Sequence, residues 1–225
     1  MQDAKDVPDM KQRTDPALLG VLIYQGVEPI DLGGTIGVVS MASRILPSVA
    51  ATVIARHAGP VRLAGGLTVH AHHWIGAAPE CDVVIVCGGP GWPEAAADTE
   101  VLHYLRALQP CGIASVCTGA MILGASGVLD GRIATTRRHA VGTEPVAPLT
   151  ALGRTGTIQT TIAQVVDADV VTGGGVSLAI DTTLYLLGRI YGQEAAAEVA
   201  QLIEYDRAYA ASGAALGLTI HRNPG

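Results

Sequence analysis

The segment Ser115-Val116-Cys117-Thr118-Gly119 places a thiol between small residues two positions before it and two after it. That pattern is what a sharp strand-to-helix elbow requires, because the backbone folds back on itself and pushes the central side chain into a cleft. A cysteine at the start of the following helix would feel the positive end of its dipole, which favours the thiolate. The chemistry expected of Cys117 is therefore nucleophilic addition. The backbone N–H of Thr118 and one from the turn Gly88-Gly89-Pro90-Gly91 are expected to stabilise the negative charge that develops. Cys81, Cys87 and Cys111 lack this setting and read as small buried apolar side chains.

A nucleophile needs a partner that moves protons. Glu28 and Asp31 both follow the first apolar run, and spacing alone does not separate them. The competing role for Asp31 is an ordinary N-cap before Leu32. His139 is the nearest downstream imidazole for a Cys–His pair; its competing role is a solvent-facing residue beside Arg137 and Arg138. His70 and His72 would share one face of a strand and His73 the other. No acidic residue or cysteine completes a ligand set with them, so no metal is expected. Neither G-x-G-x-x-G nor a P-loop occurs, so no nucleotide cofactor is indicated.

The elements that must position these residues alternate along a chain of 225 residues, long enough for one α/β domain. Leu18–Tyr24, Ala50–Arg56, Asp82–Cys87, Gly112–Val116 and Asp169–Thr172 read as buried strands. Ile133–Thr135 and the stretch around Ile158–Val166 add weaker ones, and Val61–Leu63 with Leu67–Ala71 reads as a hairpin. Helical spacing covers Asp31–Arg44, Thr99–Gln109, Ala120–Ala125, Ser177–Tyr191 and Gln193–Tyr205. The β-α-β-α order predicts a doubly wound, mostly parallel sheet, with the site at the carboxyl ends of its strands among Gly88–Gly91, Cys117–Gly119 and Gly173–Gly175. Residues 1–16 are expected to be a flexible leader and residues 17–225 a single domain.

Hydrophobic residues make up 49% of the chain and charged ones only 15%, which excludes disorder for its bulk. The net charge of −6, with no basic cluster longer than Arg137-Arg138, argues against nucleic acid as a partner. No apolar run nears the ~20 residues that span a bilayer. Four cysteines without a C-x-x-C pair or a hydrophobic leader suggest reduced thiols in the cytoplasm. A small molecule is the expected partner.

Asp82–Gly91 (DVVIVCGGPG), Ala114–Gly119 (ASVCTG), Leu123–Arg132 (LGASGVLDGR), Ala134-Thr135-Thr136, Val171–Gly175 (VTGGG) and Ala179-Ile180-Asp181 occur in one order that resembles the ThiJ/PfpI superfamily of glutamine amidotransferase-like proteins. The resemblance covers Leu18 to about Tyr205. It implies a flavodoxin-like sandwich, a cysteine elbow, and a homodimer with the site near the subunit interface. Peptidase-like members carry His directly after the cysteine, where Thr118 stands here. Gly26–Gly34 (GVEPIDLGG) resembles the first loop of the isonitrile (isocyanide) hydratase branch, whose D-L-x-G aspartate is the acid/base; that residue maps onto Asp31, not Glu28. The same branch has Thr-Gly after the cysteine, as in Thr118-Gly119. Thr35 in place of Pro, Arg137 in place of His, and no proline-rich stretch after Tyr205 depart from the branch.

This likeness implies addition of water to an isonitrile through a Cys117 thioimidate. Asp31 would supply the proton, while Thr118, Gly89, Pro90, Gly91 and Gly119 would position the reactants. Two alternatives belong to the same superfamily. One is a glyoxalase- or deglycase-type cysteine enzyme acting on α-oxoaldehydes, whose first loop resembles Glu rather than Asp. The other is a ligand-sensing domain of the AraC-regulator type. There Arg137 would contact an anion, although the residues after Tyr205 are expected to leave no room for a helix-turn-helix region.

Overall fold

The computed structural model describes residues 10–221. Its strands are β1 (Ala17–Leu22), β2 (Val49–Ala55), β3 (Gly59–Arg62), β4 (Thr68–Ala71), β5 (His73–Trp74), β6 (Val83–Val86), β7 (Ile113–Ser115), β8 (Ile133–Ala134), β9 (Gln159–Thr160), β10 (Val165–Ala168), β11 (Val170–Gly173) and β12 (Leu218–Ile220). The helices are α1 (Pro29–Ala42), α2 (Trp92–Ala97), α3 (Thr99–Ala107), α4 (Gly119–Ser126), α5 (Pro148–Gly153), α6 (Leu178–Tyr191), α7 (Gln193–Leu202) and α8 (Asp206–Leu216). Eight strands form one sheet in the order β12-β10-β11-β7-β6-β1-β2-β5. Every neighbouring pair is parallel except β10 and β11. This is the doubly wound, mostly parallel sheet the strand pattern predicts, and the flavodoxin-like sandwich the resemblance implies.

Burial on both faces explains why the strands read as unbroken apolar runs. Val83 and Ile85 pack into a core shared with α1, α6 and α7, while Val84 and Val86 pack into a second core with α2, α3, α4 and α5. From β1 the chain passes to β2 on one side and later to β6 on the other. That reversal opens a crevice at the carboxyl ends of β1 and β6, where ligands bind in sheets of this kind. The loops after β1, β6 and β7 meet there.

Several expectations need adjustment. Residues 1–9 of the expected leader lie outside the described residues, and the rest of it is tied to the domain. The Lys11 N–H donates to the Ile190 carbonyl at 2.8 Å, and Arg13 makes two bonds of 2.6 and 2.7 Å to Glu198. The helix expected to end at Tyr205 stops at Leu202, and α8 and β12 follow. The three histidines do not share one strand, since β4 ends at Ala71 and β5 begins at His73. His72 falls at that break, its Nδ1 within 3.1 Å of the Val53 N–H. No helix among the described residues is long and apolar enough to cross a membrane.

The backbone packs closely where the elbow crosses β6. A Cβ on Gly119 would strike the Val86 carbonyl, so α4 can begin against β6 only with glycine there. Gly119→Ala is expected to destabilise the fold by about 2–4 kcal/mol, read by urea unfolding, because backbone rather than a flexible side chain must yield. A loss below about 0.5 kcal/mol would show that β6 and α4 have room to separate.

Candidate active site

Cys117 adopts a left-handed backbone conformation, φ 51°, that few residues other than glycine tolerate. Two hydrogen bonds hold it there. Its N–H donates to the Gly174 carbonyl at 3.0 Å, and its carbonyl accepts from the Thr136 hydroxyl at 2.6 Å. The result is the expected elbow, with the side chain 3% exposed and lining a cavity of about 390 Å³.

Helix α1 sets the two carboxylates in different places. Pro29 occupies its first turn and Glu28 is the N-cap, accepting from the Ile30 N–H at 3.5 Å. Asp31 is thereby inside the helix and wholly buried, directed at the strand ends. Its Oδ2 accepts the Gly88 N–H at 2.8 Å, and Oδ1 has no hydrogen-bond partner. Glu28 stays at the cavity wall. A Cβ at Gly88 would come within 2.5 Å of the Thr118 nitrogen and 2.8 Å of the Asp31 Oδ2, so this glycine lets carboxylate and elbow approach.

The two groups set each other's proton affinity. Burial pushes the Asp31 carboxyl up from 3.8 to about 7, against the opposing Gly88 hydrogen bond. Burial, and then the neighbouring Asp31 charge, pushes the Cys117 thiol up to about 12. The Thr118 N–H, turned toward the sulfur, and Arg137 pull it only partly back. The pull toward the thiolate expected of the helix N-terminus is thus opposed: desolvation and a nearby carboxylate both favour the neutral thiol.

The turn after β6 is also organised differently from the expected oxyanion hole. The Gly89 N–H donates to the Thr118 hydroxyl at 2.9 Å, and the Gly91 N–H donates to the Gly26 carbonyl at 3.3 Å. With Gly88 bonded to Asp31, the amides of that turn are already committed. The Thr118 N–H faces the thiol. Gly89 and Pro90 line the cavity, whereas Gly91 and Gly119 do not and serve the backbone's close approaches.

His139 is exposed and away from the cavity, contributing only its carbonyl, which accepts from Arg137 Nη1 at 2.5 Å. Arg137 instead turns inward to the cavity wall and bonds Glu144 at 2.5 Å. Glu144 escaped the sequence reading because it sits in an irregular segment with no periodic signal. Ile30, Val141 and Val176 supply the apolar wall. Among the described residues no group of three or more His, Cys, Asp or Glu side chains is arranged to hold a metal.

Fold and site together define a flavodoxin-like α/β protein with a cysteine elbow and a buried carboxylate at the sheet's crevice. The model of the DJ-1/PfpI family matches residues 19–187, and the chain belongs to that family. It is 31% identical to the isonitrile hydratase of Pseudomonas putida over 189 residues, 83% of this chain and 78% of that protein. Over 133 residues, 58% of this chain and 34% of the relative, it is 30% identical to the HTH-type transcriptional regulator GbdR of Pseudomonas aeruginosa. A solved ThiJ/PfpI family protein from Pseudomonas syringae superposes with a TM-score of 0.72 at 28% identity, covering 92% of this chain and 82% of that one.

The raised Asp31 pKa has a stability consequence. A carboxyl whose folded-state value lies above its unfolded one favours folding fully only below pH 3.8, and this contribution erodes as pH climbs to about 7. The erosion is worth at most about 4 kcal/mol. Asp31→Asn is therefore expected to melt above the natural chain at pH 8, by a margin that shrinks toward pH 4. Thermal unfolding across that range checks it; a margin independent of pH would show that Asp31 does not titrate there.

Proposed function

We propose that this protein hydrates isonitriles, R–N≡C plus water giving R–NH–CHO. The observation that carries the reading is the buried Asp31 carboxyl, fixed by the Gly88 N–H beside the Cys117 thiol and able to hold a proton up to about pH 7. The likeness to an isonitrile hydratase over most of both chains supports the substrate class.

In this mechanism the thiol, not a standing thiolate, is the starting state. As sulfur adds to the terminal isonitrile carbon, its proton passes to Asp31 and then to that same carbon, leaving the thioimidate R–N=CH–S–Cys117. Water next adds to the carbon, its hydroxyl forming the new C–O bond and its other proton reaching nitrogen through Asp31. When the adduct collapses the C–S bond breaks, and the hydroxyl proton returns through Asp31 to sulfur. One carboxyl at one place thus serves every transfer, which suits a group whose pKa lies near neutrality. The Thr118 N–H, turned to the sulfur, steadies the charge that grows there.

A second reading rests on the likeness to GbdR: the same cavity binding a small molecule without turnover. It predicts thermal stabilisation by the ligand with no product.

Formamide production from p-nitrophenyl isocyanide separates the two readings. Cys117→Ala and Asp31→Asn are each expected to lower kcat/KM by roughly 10³-fold or more. In the natural chain, kcat/KM is expected to rise about tenfold per pH unit below pH 7 and to level above it, as Asp31 loses its proton and becomes able to accept the thiol's. Full turnover in either variant would sink the mechanism. A profile that falls through pH 7 would reverse the roles of acid and base.

A further inference from the structure

Arg137 is a cation at the wall of the cavity that holds the thiol. Its stem packs where Gly175 meets Cys117: a Cβ at Gly175 would lie 2.8 Å from the Cys117 Sγ and 2.9 Å from the Arg137 Cβ. Left alone, a guanidinium there would invite an anion. Glu144 answers it. Oε1 takes the Arg137 Nη2 at 2.5 Å, while Oε2 accepts the Val141 N–H at 3.0 Å. The two side chains are 11% and 29% exposed, so the pair is partly sheltered from screening by solvent. Although burial opposes it, the Arg137 bond and the Val141 N–H hold the Glu144 carboxyl below its ordinary range, which keeps it charged at neutral pH. Glu28 also lines the cavity. An entering anion would meet one cation already matched and a second carboxylate at Glu28, whereas an apolar group would meet Ile30, Pro90, Val141 and Val176.

We infer that Glu144 is a specificity-determining residue: by neutralising Arg137 it makes the cavity accept uncharged, apolar side groups and reject anionic ones. For the reacting group this rests on the isonitrile reading; the charge selection does not.

The test uses Glu144→Gln, which keeps an acceptor for Val141 and the side chain's shape while removing the charge. Cys117 is alkylated with neutral iodoacetamide and with anionic iodoacetate, and its peptide is followed by mass spectrometry so that the exposed Cys111 does not interfere. The natural chain is expected to favour iodoacetamide more strongly than free glutathione does. Glu144→Gln is expected to move the ratio toward iodoacetate by at least about tenfold. A ratio in the natural chain no different from glutathione's overturns the inference even if the variant folds poorly. So does an unmoved ratio in a variant that keeps its melting temperature. In parallel, phenyl isocyanide and 4-isocyanobenzoate are compared as substrates, with the same direction of change expected. Turnover of neither, with the alkylation ratio shifted, defeats the hydratase reading and leaves the role of Glu144 standing. Turnover of both, with the alkylation ratio fixed, does the reverse.

Discussion

Cys117 is held in a backbone conformation that side-chain-bearing residues avoid, and much of the site follows from that constraint. The strain is tolerable because both of its peptide groups are tied, the N–H to Gly174 and the carbonyl to Thr136. Turning so sharply brings α4 against β6, which leaves no space for a side chain at Gly119. It also sets the Thr118 hydroxyl over the next loop, where it accepts the Gly89 N–H. Amides that might have met a substrate thereby become fasteners that tie the turn after β6 to the elbow, to Asp31 and to Gly26.

That fastening shapes the electrostatics. Parallel strands buried on both faces leave the crevice apolar, and an apolar crevice disfavours charge on thiol and carboxyl alike. The proton is best kept between them, since ionising both would set two like charges in a poorly solvated space. At the opposite wall the charges of Arg137 and Glu144 cancel by pairing. The site thus handles charge by sharing at its floor and by matching at its wall.

Much of the fold was legible in the sequence, for identifiable reasons. Apolar runs ending in glycine turns marked β1, β2, β6, β7 and β11, and Ser115 and Gly119 marked the elbow through their size. The choice between Glu28 and Asp31 stayed open on spacing alone. Pro29 carried the unread signal: proline favours the first helical position, which makes Glu28 the cap and turns Asp31 inward. Other features left no local trace. Burial opposes the expected ionisation of Cys117, and burial depends on packing from elements far apart in the chain. His139, Arg137 and Glu144 share an irregular segment whose side-chain directions follow no period. The residues after Tyr205 are rich in alanine and offered no apolar stripe by which α8 could be recognised.

The carbonyl that receives the Cys117 N–H belongs to Gly174, and Gly174 is itself fixed from further along the chain. Its N–H donates to the Gln164 carbonyl, and the Gln164 N–H donates to Gly217. The Gln164 side chain donates to Asp181, which also accepts from the Tyr205 hydroxyl. The elbow is therefore finished by residues that leave the ribosome some fifty to a hundred positions after the cysteine itself. During synthesis the thiol emerges into a chain that cannot yet hold it in place. The elbow's geometry is something the nascent protein acquires late, when its C-terminal third has docked.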